Sequence, residues 1–186
     1  MTVRDAAATS QRILNHARRQ FALHGYARVT VKGVADAAGV SPNLITRYFG
    51  GKEGLFLAAT QVEIPVERSF HGDRSTLGSR LAASIVQRWF GEAGEDPLLV
   101  LQRASGERPE AAEALATFLD RNSLEPLRRY LRESGLDEKT ARDRACAIDA
   151  FVLGVSTRRR VLRSELGDPA ELEAWLGVAI QRLADT

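Results

Sequence analysis

The stretch TVKGVADAAGVSPNLITRYFGGK, Thr30 to Lys52, decides the fold. Val31, Val34, Ala35 and Ala38 recur at three and four, so they share one face of a short helix. Thr30 stands where a side-chain N-cap belongs. Gly39 stops that helix, Val40 spans the turn, and Ser41-Pro42 restarts one with serine as N-cap and proline in the first turn. Two helices joined so tightly cross at a steep angle. The second, Pro42 to Phe49, buries Leu44, Ile45 and Phe49 and leaves Asn43, Thr46, Arg47 and Tyr48 outside. Donors, a cation and a phenol on one exposed helix face suit phosphates and base edges, and a helix fits the major groove. The pattern predicts a helix-turn-helix. Its bland counterpart is a helical hairpin with a solvated polar face.

The order Thr30, Val34-Ala35, Ala38-Gly39-Val40-Ser41, Tyr48-Phe49 and Lys52-Glu53-Gly54-Leu55 resembles the DNA-binding domain of the tetracycline-repressor (TetR) family of bacterial transcription regulators. The likeness runs from about residue 10 to 56. It implies an all-α protein of about nine helices: a three-helix head over residues 1–52, a connecting helix over about 53–64, and a C-terminal effector-binding and dimerisation domain over 65–186. One departure stands out. The family often carries tyrosine two residues before the position of Tyr48, and here that place holds Thr46. On this reading Lys32, Asn43, Thr46 and Arg47 face bases, while Thr30, Ser41, Tyr48 and Lys52 hold phosphates. Val31 and Pro42 share the same DNA-binding surface.

Charge position supports that assignment. Through Lys52 the chain has eight Lys and Arg against Asp5 and Asp36, a net +6; the remainder has eighteen against twenty-two, a net −4. Positive charge gathered on the segment with the helix-turn-helix is the footprint of a polyanion partner. With 44% hydrophobic residues and six prolines the chain is globular. No apolar run is long enough to span a membrane, the start MTVRDAAATSQR lacks a signal-peptide core, and one cysteine forms no intrachain disulfide, so a cytoplasmic protein is expected.

Residues 1–8 read as a frayed tail and Thr9 or Ser10 as the cap of the first helix, whose Ile13, Leu14, Ala17 and Phe21 face inward until His24-Gly25 closes it. Arg18 or Arg19 is a candidate backbone contact. Beyond the head, a stop is expected at Pro65 and a break at Gly94-Glu95-Asp96-Pro97. Leu77, Leu81, Ile85 and Trp89 recur every four residues in a buried helix. Leu98 to Leu101 reads as a brief helix apolar on all sides. Pro109 opens a long helix kinked near Pro126 and ended by Gly135. Ala141, Ala145, Ile148, Val152, Val155 and Leu162 then form a seam for another helix, and Leu172, Trp175, Leu176, Ala179, Ile180 and Leu183 repeat that spacing.

The last two stripes suit either the protein's own core or a second subunit. The resemblance implies the second, a homodimer through the two C-terminal helices with Ile148, Val152, Val155, Leu172, Trp175, Leu176, Ala179 and Leu183 at the interface. It also implies a small-molecule pocket in the body, for which Trp89, Phe90, Arg103, Phe118 and Phe151 are candidates, although aromatics at such spacing commonly serve a core. His16, His24 and His71 are scattered away from other metal-ligand types, so no metal or cofactor is expected. Cys146, next to the seam, reads as a small buried filler. The triplet Arg158-Arg159-Arg160 with Arg163 reads as helix-end charge rather than a second nucleic-acid patch.

No phosphate loop, nucleophile elbow or paired carboxylates appear, which argues against an enzyme carrying an accessory DNA-binding head. The leading expectation is a repressor that binds a palindromic operator as a dimer and is released by a small molecule. An effector-independent DNA-binding or architectural factor is the alternative.

Overall fold

The computed structural model describes residues 3–61, 69–91 and 96–185. The stop expected at Pro65 and the Gly94-Glu95 part of the expected break lie outside the described residues, as does the side chain of Arg4. The described residues form ten α-helical segments and no strand. Two of the segments belong to one interrupted helix, matching the all-α expectation. They fall into two compact units: residues 1–62 with 92–112, and residues 63–91 with 113–186. This differs from the contiguous division expected, because 92–112 belongs with the head.

The first unit holds α1 (Val3–Arg28), α2 (Val31–Ala38), α3 (Pro42–Phe49), α4 (Lys52–Ala59) and α6 (Pro97–Ala104). Helix α1 starts at Val3 rather than at Thr9 or Ser10. Ala6, Ala7 and Ala8 are strong helix formers, and the Thr9 hydroxyl sits inside the helix donating to the Asp5 carbonyl at 2.7 Å. The break expected at Gly25 is a kink with φ 74° and ψ 166°. Ile13, Ala17 and Phe21 of α1 pack with Val34, Ala35, Ala38, Ile45, Leu55, Phe56 and Ala59, all buried. Helix α4 ends at Ala59, short of the 64 expected, and the Thr60 hydroxyl folds back on the Phe56 and Leu57 carbonyls. Arg18 donates to the Ala59 carbonyl at 3.0 Å, so it closes the α4 C-terminus instead of reaching outward. The apolar run of α6 is buried throughout, and α6 packs on α1.

The second unit opens with a 3-10 turn (Arg74–Thr76) and α5 (Leu77–Phe90), whose Leu77, Leu81, Ala82, Ile85, Val86 and Trp89 are buried as expected. Helix α7 (Pro109–Leu119), which crosses the unit boundary, runs through a π turn (Asp120–Leu124) into α8 (Glu125–Glu133). Pro126 explains the widened turn: proline has no amide hydrogen for the Asn122 carbonyl, and its ring crowds it. Helix α9 (Glu138–Ser156) ends in a second π turn (Thr157–Val161), and α10 (Pro169–Asp185) packs against α5 and α9. The α5–α10 crossing is glycine-made, with Gly78 against the Gly177 carbonyl. Gln181 of α10 accepts the Gly78 amide at 2.9 Å and donates to the Arg74 carbonyl at 3.0 Å, satisfying an otherwise uncapped α5 start.

Four expected interface residues are corrected here. Ile148 is 2% exposed and Leu172 and Leu176 are 0% exposed, all inside the subunit's own core with Leu81, Val86, Leu127 and Leu131, so they offer no surface to a second copy. Val155 is also buried in that core, and Val152 and Leu183 pack against it. Cys146, expected inside, is exposed. Spacing announces a buried face without saying which surface covers it.

Candidate nucleic-acid interface

Local chemistry sets the two helices at the outer end of the head. The Thr30 hydroxyl accepts the Gly33 amide at 3.0 Å, closing the α2 N-terminus. Such caps contribute about 1 kcal/mol. Gly39 takes the left-handed conformation at φ 63°, with its amide on the Asp36 carbonyl and the Val40 amide on the Ala35 carbonyl. That pair of bonds is a Schellman stop. Ser41 follows in extended backbone and Pro42 opens α3, yet the Ser41 hydroxyl makes no capping bond.

Helix α3 then sorts its side chains by face. Ile45 is buried, Leu44 and Phe49 are half-buried, and Asn43, Thr46 and Arg47 are exposed beside Ser41 and Pro42. Thr30 and Lys32 are exposed at the start of α2, with Val31 half-buried between them. Among the described residues, Lys32, Asn43 and Arg47 have no hydrogen-bond or ionic partner. Thr46 reaches only the Pro42 carbonyl, at a long 3.4 Å. Tyr48 is half-buried, edge-on to Phe49 at 6.2 Å between ring centres.

Lys52 sits differently from a plain surface lysine. Its ammonium lies 4.4 Å from the Tyr26 ring centre and donates to the Ala27 carbonyl at 3.2 Å. This seats it at the first residue of α4, where the free amides and the helix dipole favour an anion. Around the same ring lie groups that the motif left without a role. The Tyr26 hydroxyl donates to Glu53 at 2.6 Å, Glu53 pairs with Arg108, and the Arg108 guanidinium stacks 4.0 Å from the Tyr26 centre. The hydrogen bond to Glu53, with burial and the carboxylate's charge, pushes the Tyr26 phenol above its ordinary pKa, against the pull of Arg108. Nothing local in sequence signals Arg108, which lies 55 positions beyond Glu53.

The five residues expected at an effector pocket divide between the two units. Arg103 belongs to the first unit, where it donates to the Leu23 carbonyl at 3.4 Å, and the other four belong to the second. Phe90 is exposed with Arg159 over its ring at 4.0 Å, and Phe151 meets Trp175 edge-on at 6.3 Å. Trp89 and Phe118 are buried, and the Trp89 indole nitrogen has no acceptor among the described residues. Asp149, which the sequence did not single out, is a partly buried carboxyl facing Ser123 and Asp120. Burial raises its pKa, Asp120 adds to that, and the Ser123 hydroxyl opposes it.

A tight helix-turn-helix with an unpaired polar face, set in a cationic head, defines a DNA-binding module. Residues 13–59 match the family model described as bacterial regulatory proteins, tetR family, and residues 75–183 match that of the tetracyclin repressor-like C-terminal domain. The chain belongs to the TetR family and is a DNA-binding transcriptional regulator. It is 52% identical over 48 residues to the HTH-type transcriptional repressor AcnR of Corynebacterium glutamicum, a match spanning 26% of each chain. The match thus spans about a quarter of that relative's length. Among solved structures, native NalD of Pseudomonas aeruginosa, the secondary repressor of the MexAB-OprM multidrug efflux pump, superposes with a TM-score of 0.71 at 24% identity, over 95% of this chain and 96% of that one. A SmeT–triclosan complex does so at 0.67 and 24%, over 94% and 90%.

Proposed function

We propose that the protein is a cytoplasmic repressor that holds a palindromic operator as a homodimer and releases it when a small molecule binds the second unit. The observation that carries this reading is the exposed trio Lys32, Asn43 and Arg47, which have no partner among the described residues, on a head with Val34, Ala35, Ala38 and Ile45 buried beneath. Lys32, Asn43, Thr46 and Arg47 read bases; Thr30, Ser41, Tyr48 and Lys52 hold phosphates, flanked by Val31 and Pro42. Arg47→Ala costs about 1 to 3 kcal/mol on the operator and relaxes specificity, while Lys52→Ala weakens all duplexes alike and flattens the salt dependence. Titrating both variants against operator and random duplex separates the two roles, and equal losses on both sequences would defeat the division.

The second copy docks on the outer face of α10. Trp175 is 38% and Val178 53% exposed there, beside the half-buried Ala179 and a shallow groove of about 450 Å³ lined by Ser79, Gly177 and Gln181. Exposed apolar side chains grouped on one helix face are the kind of surface that a second copy can cover. Two heads held about 34 Å apart engage successive major grooves together. Val178→Asp therefore gives a monomer in sedimentation, with operator affinity reduced about 100-fold as the linkage between heads is lost. A variant that stays dimeric would place the interface elsewhere.

Release requires an effector with different affinity for the two conformations. Relatives of this fold, such as SmeT with triclosan, hold small molecules. Trp89 and Phe118, with the unsatisfied indole donor, are the candidates kept here.

A further inference from the structure

We propose that Arg108 is a positioning residue for DNA binding: by occupying Glu53 it keeps that carboxylate away from Lys52 and leaves the lysine's charge for a phosphate. The inference rests on the reading of Lys52 as a phosphate contact and adds the group that controls it.

The geometry around Tyr26 carries the idea. Adjacent positions on a helix ordinarily point apart, yet Lys52 and Glu53 both converge on this one phenol, the ammonium against its ring and the carboxylate on its hydroxyl. Arg108 stacks on the same ring and lies 5.4 Å from the Phe56 ring centre. It takes one Glu53 oxygen while the Tyr26 hydroxyl takes the other. Each carboxylate oxygen thus has a partner of its own, and the guanidinium balances the charge. Lys52 gives one hydrogen to the Ala27 carbonyl and has no carboxylate partner among the described residues, so its other two hydrogens remain for DNA.

Removing the guanidinium changes who neutralises whom. Glu53 keeps the phenol but loses its counter-ion, and the cation left against that ring is Lys52. An opposite charge a few ångströms away lowers the lysine's pull on a phosphate and competes for its hydrogens. Arg108 lies between α6 and α7, just before Pro109. A displacement of that corner would therefore dim the clamp without touching the recognition helix. Glu110, 3.7 Å from Arg108, is a second acceptor toward which the guanidinium can turn when it leaves Glu53.

The test uses the full-length protein and a labelled random-sequence duplex, since a phosphate contact is independent of base sequence. Arg108→Met keeps the stem packed on Tyr26 and Phe56 and removes only the charge. Lys52→Ala and Arg108→Met are each expected to weaken binding by about three- to tenfold at physiological salt. Each should also reduce the slope of log K against log salt by up to about 0.9. Arg108→Lys, which can still pair with Glu53, should behave as wild type. The deciding variant is the double substitution Arg108→Met with Glu53→Gln, which removes the competing carboxylate and is expected to restore both affinity and slope. A double variant as weak as Arg108→Met alone would overturn the proposal and leave Arg108 a packing residue. Wild-type binding by Arg108→Met would overturn it too. An unchanged slope in Lys52→Ala would instead sink the Lys52 reading and the guard with it. Should Arg108→Met fail to fold by thermal denaturation, Glu53→Asp decides in its place, because a carboxylate drawn back from Arg108 and Tyr26 should weaken binding while Glu53→Gln does not.

Discussion

Replacing Gly78 with alanine lowers the melting temperature by about 4 to 8 °C, whereas the same change at Gly177, its partner in the crossing, leaves it unchanged or raises it. An alanine Cβ at Gly78 would lie 2.2 Å from the Gly177 carbonyl oxygen and 2.8 Å from the Gln181 amide nitrogen. Those are backbone atoms, so no rotamer relieves the clash and the two helices must separate. Separation pulls the Gly78 amide from Gln181 and opens the layer between α5 and α10 that buries Leu77, Leu81, Leu176 and Ile180. Overpacking of this kind costs about 1 to 3 kcal/mol, and losing the amide's acceptor adds to it. Alanine's better helix propensity returns at most about 1 kcal/mol. A net loss near 2 kcal/mol corresponds to the stated shift for a chain of this length. At Gly177 a Cβ would meet its nearest atoms at 3.5 to 3.6 Å, ordinary contact, so only the propensity gain remains. Thermal unfolding of the two variants side by side checks the asymmetry. Equal behaviour would mean that the crossing is looser than its geometry implies.

The same contrast explains which parts of the fold were legible beforehand. The α2–turn–α3 unit is written in adjacent residues: Thr30, Gly39 and Pro42 act on the backbone within a few positions, and each did so where expected. Ser41 alone withheld its side chain. The stripe of α5 was equally plain, because Leu77 to Trp89 repeats at helical period. What periodicity cannot state is the partner. Leu98 to Leu101 reads as buried, yet nothing in it says that α6 lies on α1. Ile148, Leu172 and Leu176 carry the spacing of an intersubunit seam, and the subunit itself covers them. Cys146 lies one step from Ala145, and that step of about 100° turns it from core to solvent. Arg108 was illegible for a different reason: its meaning depends on Tyr26, Glu53 and Lys52 meeting in space across the α6–α7 corner.

Gly54→Ala should cost the head most of its DNA affinity, at least tenfold on operator and on random duplex. An added Cβ would lie 1.7 Å from the Phe49 carbonyl oxygen and 2.9 Å from its carbonyl carbon. Phe49 is the last residue of α3, so the α4 backbone rests directly on the end of the recognition helix. Ordinary contact requires 3.4 Å or more, and the two helices must therefore part by more than an ångström. That displacement changes the spacing between two sets of groups that act on one duplex: Asn43, Thr46 and Arg47 on α3, and Lys52 with the free amides of α4. Either set fits the DNA at the expense of the other, and each lost charged or bidentate contact is worth about 1 to 3 kcal/mol. Leu55 and Phe56, the next two residues, are buried in the head, which resists compensation by tilting α4 as a whole. The measurement pairs duplex titration with thermal unfolding of the same sample. Weak binding by a protein that still unfolds cooperatively ties the loss to helix spacing. Wild-type affinity would show that α4 yields freely and that the Lys52 clamp does not depend on its seat against α3.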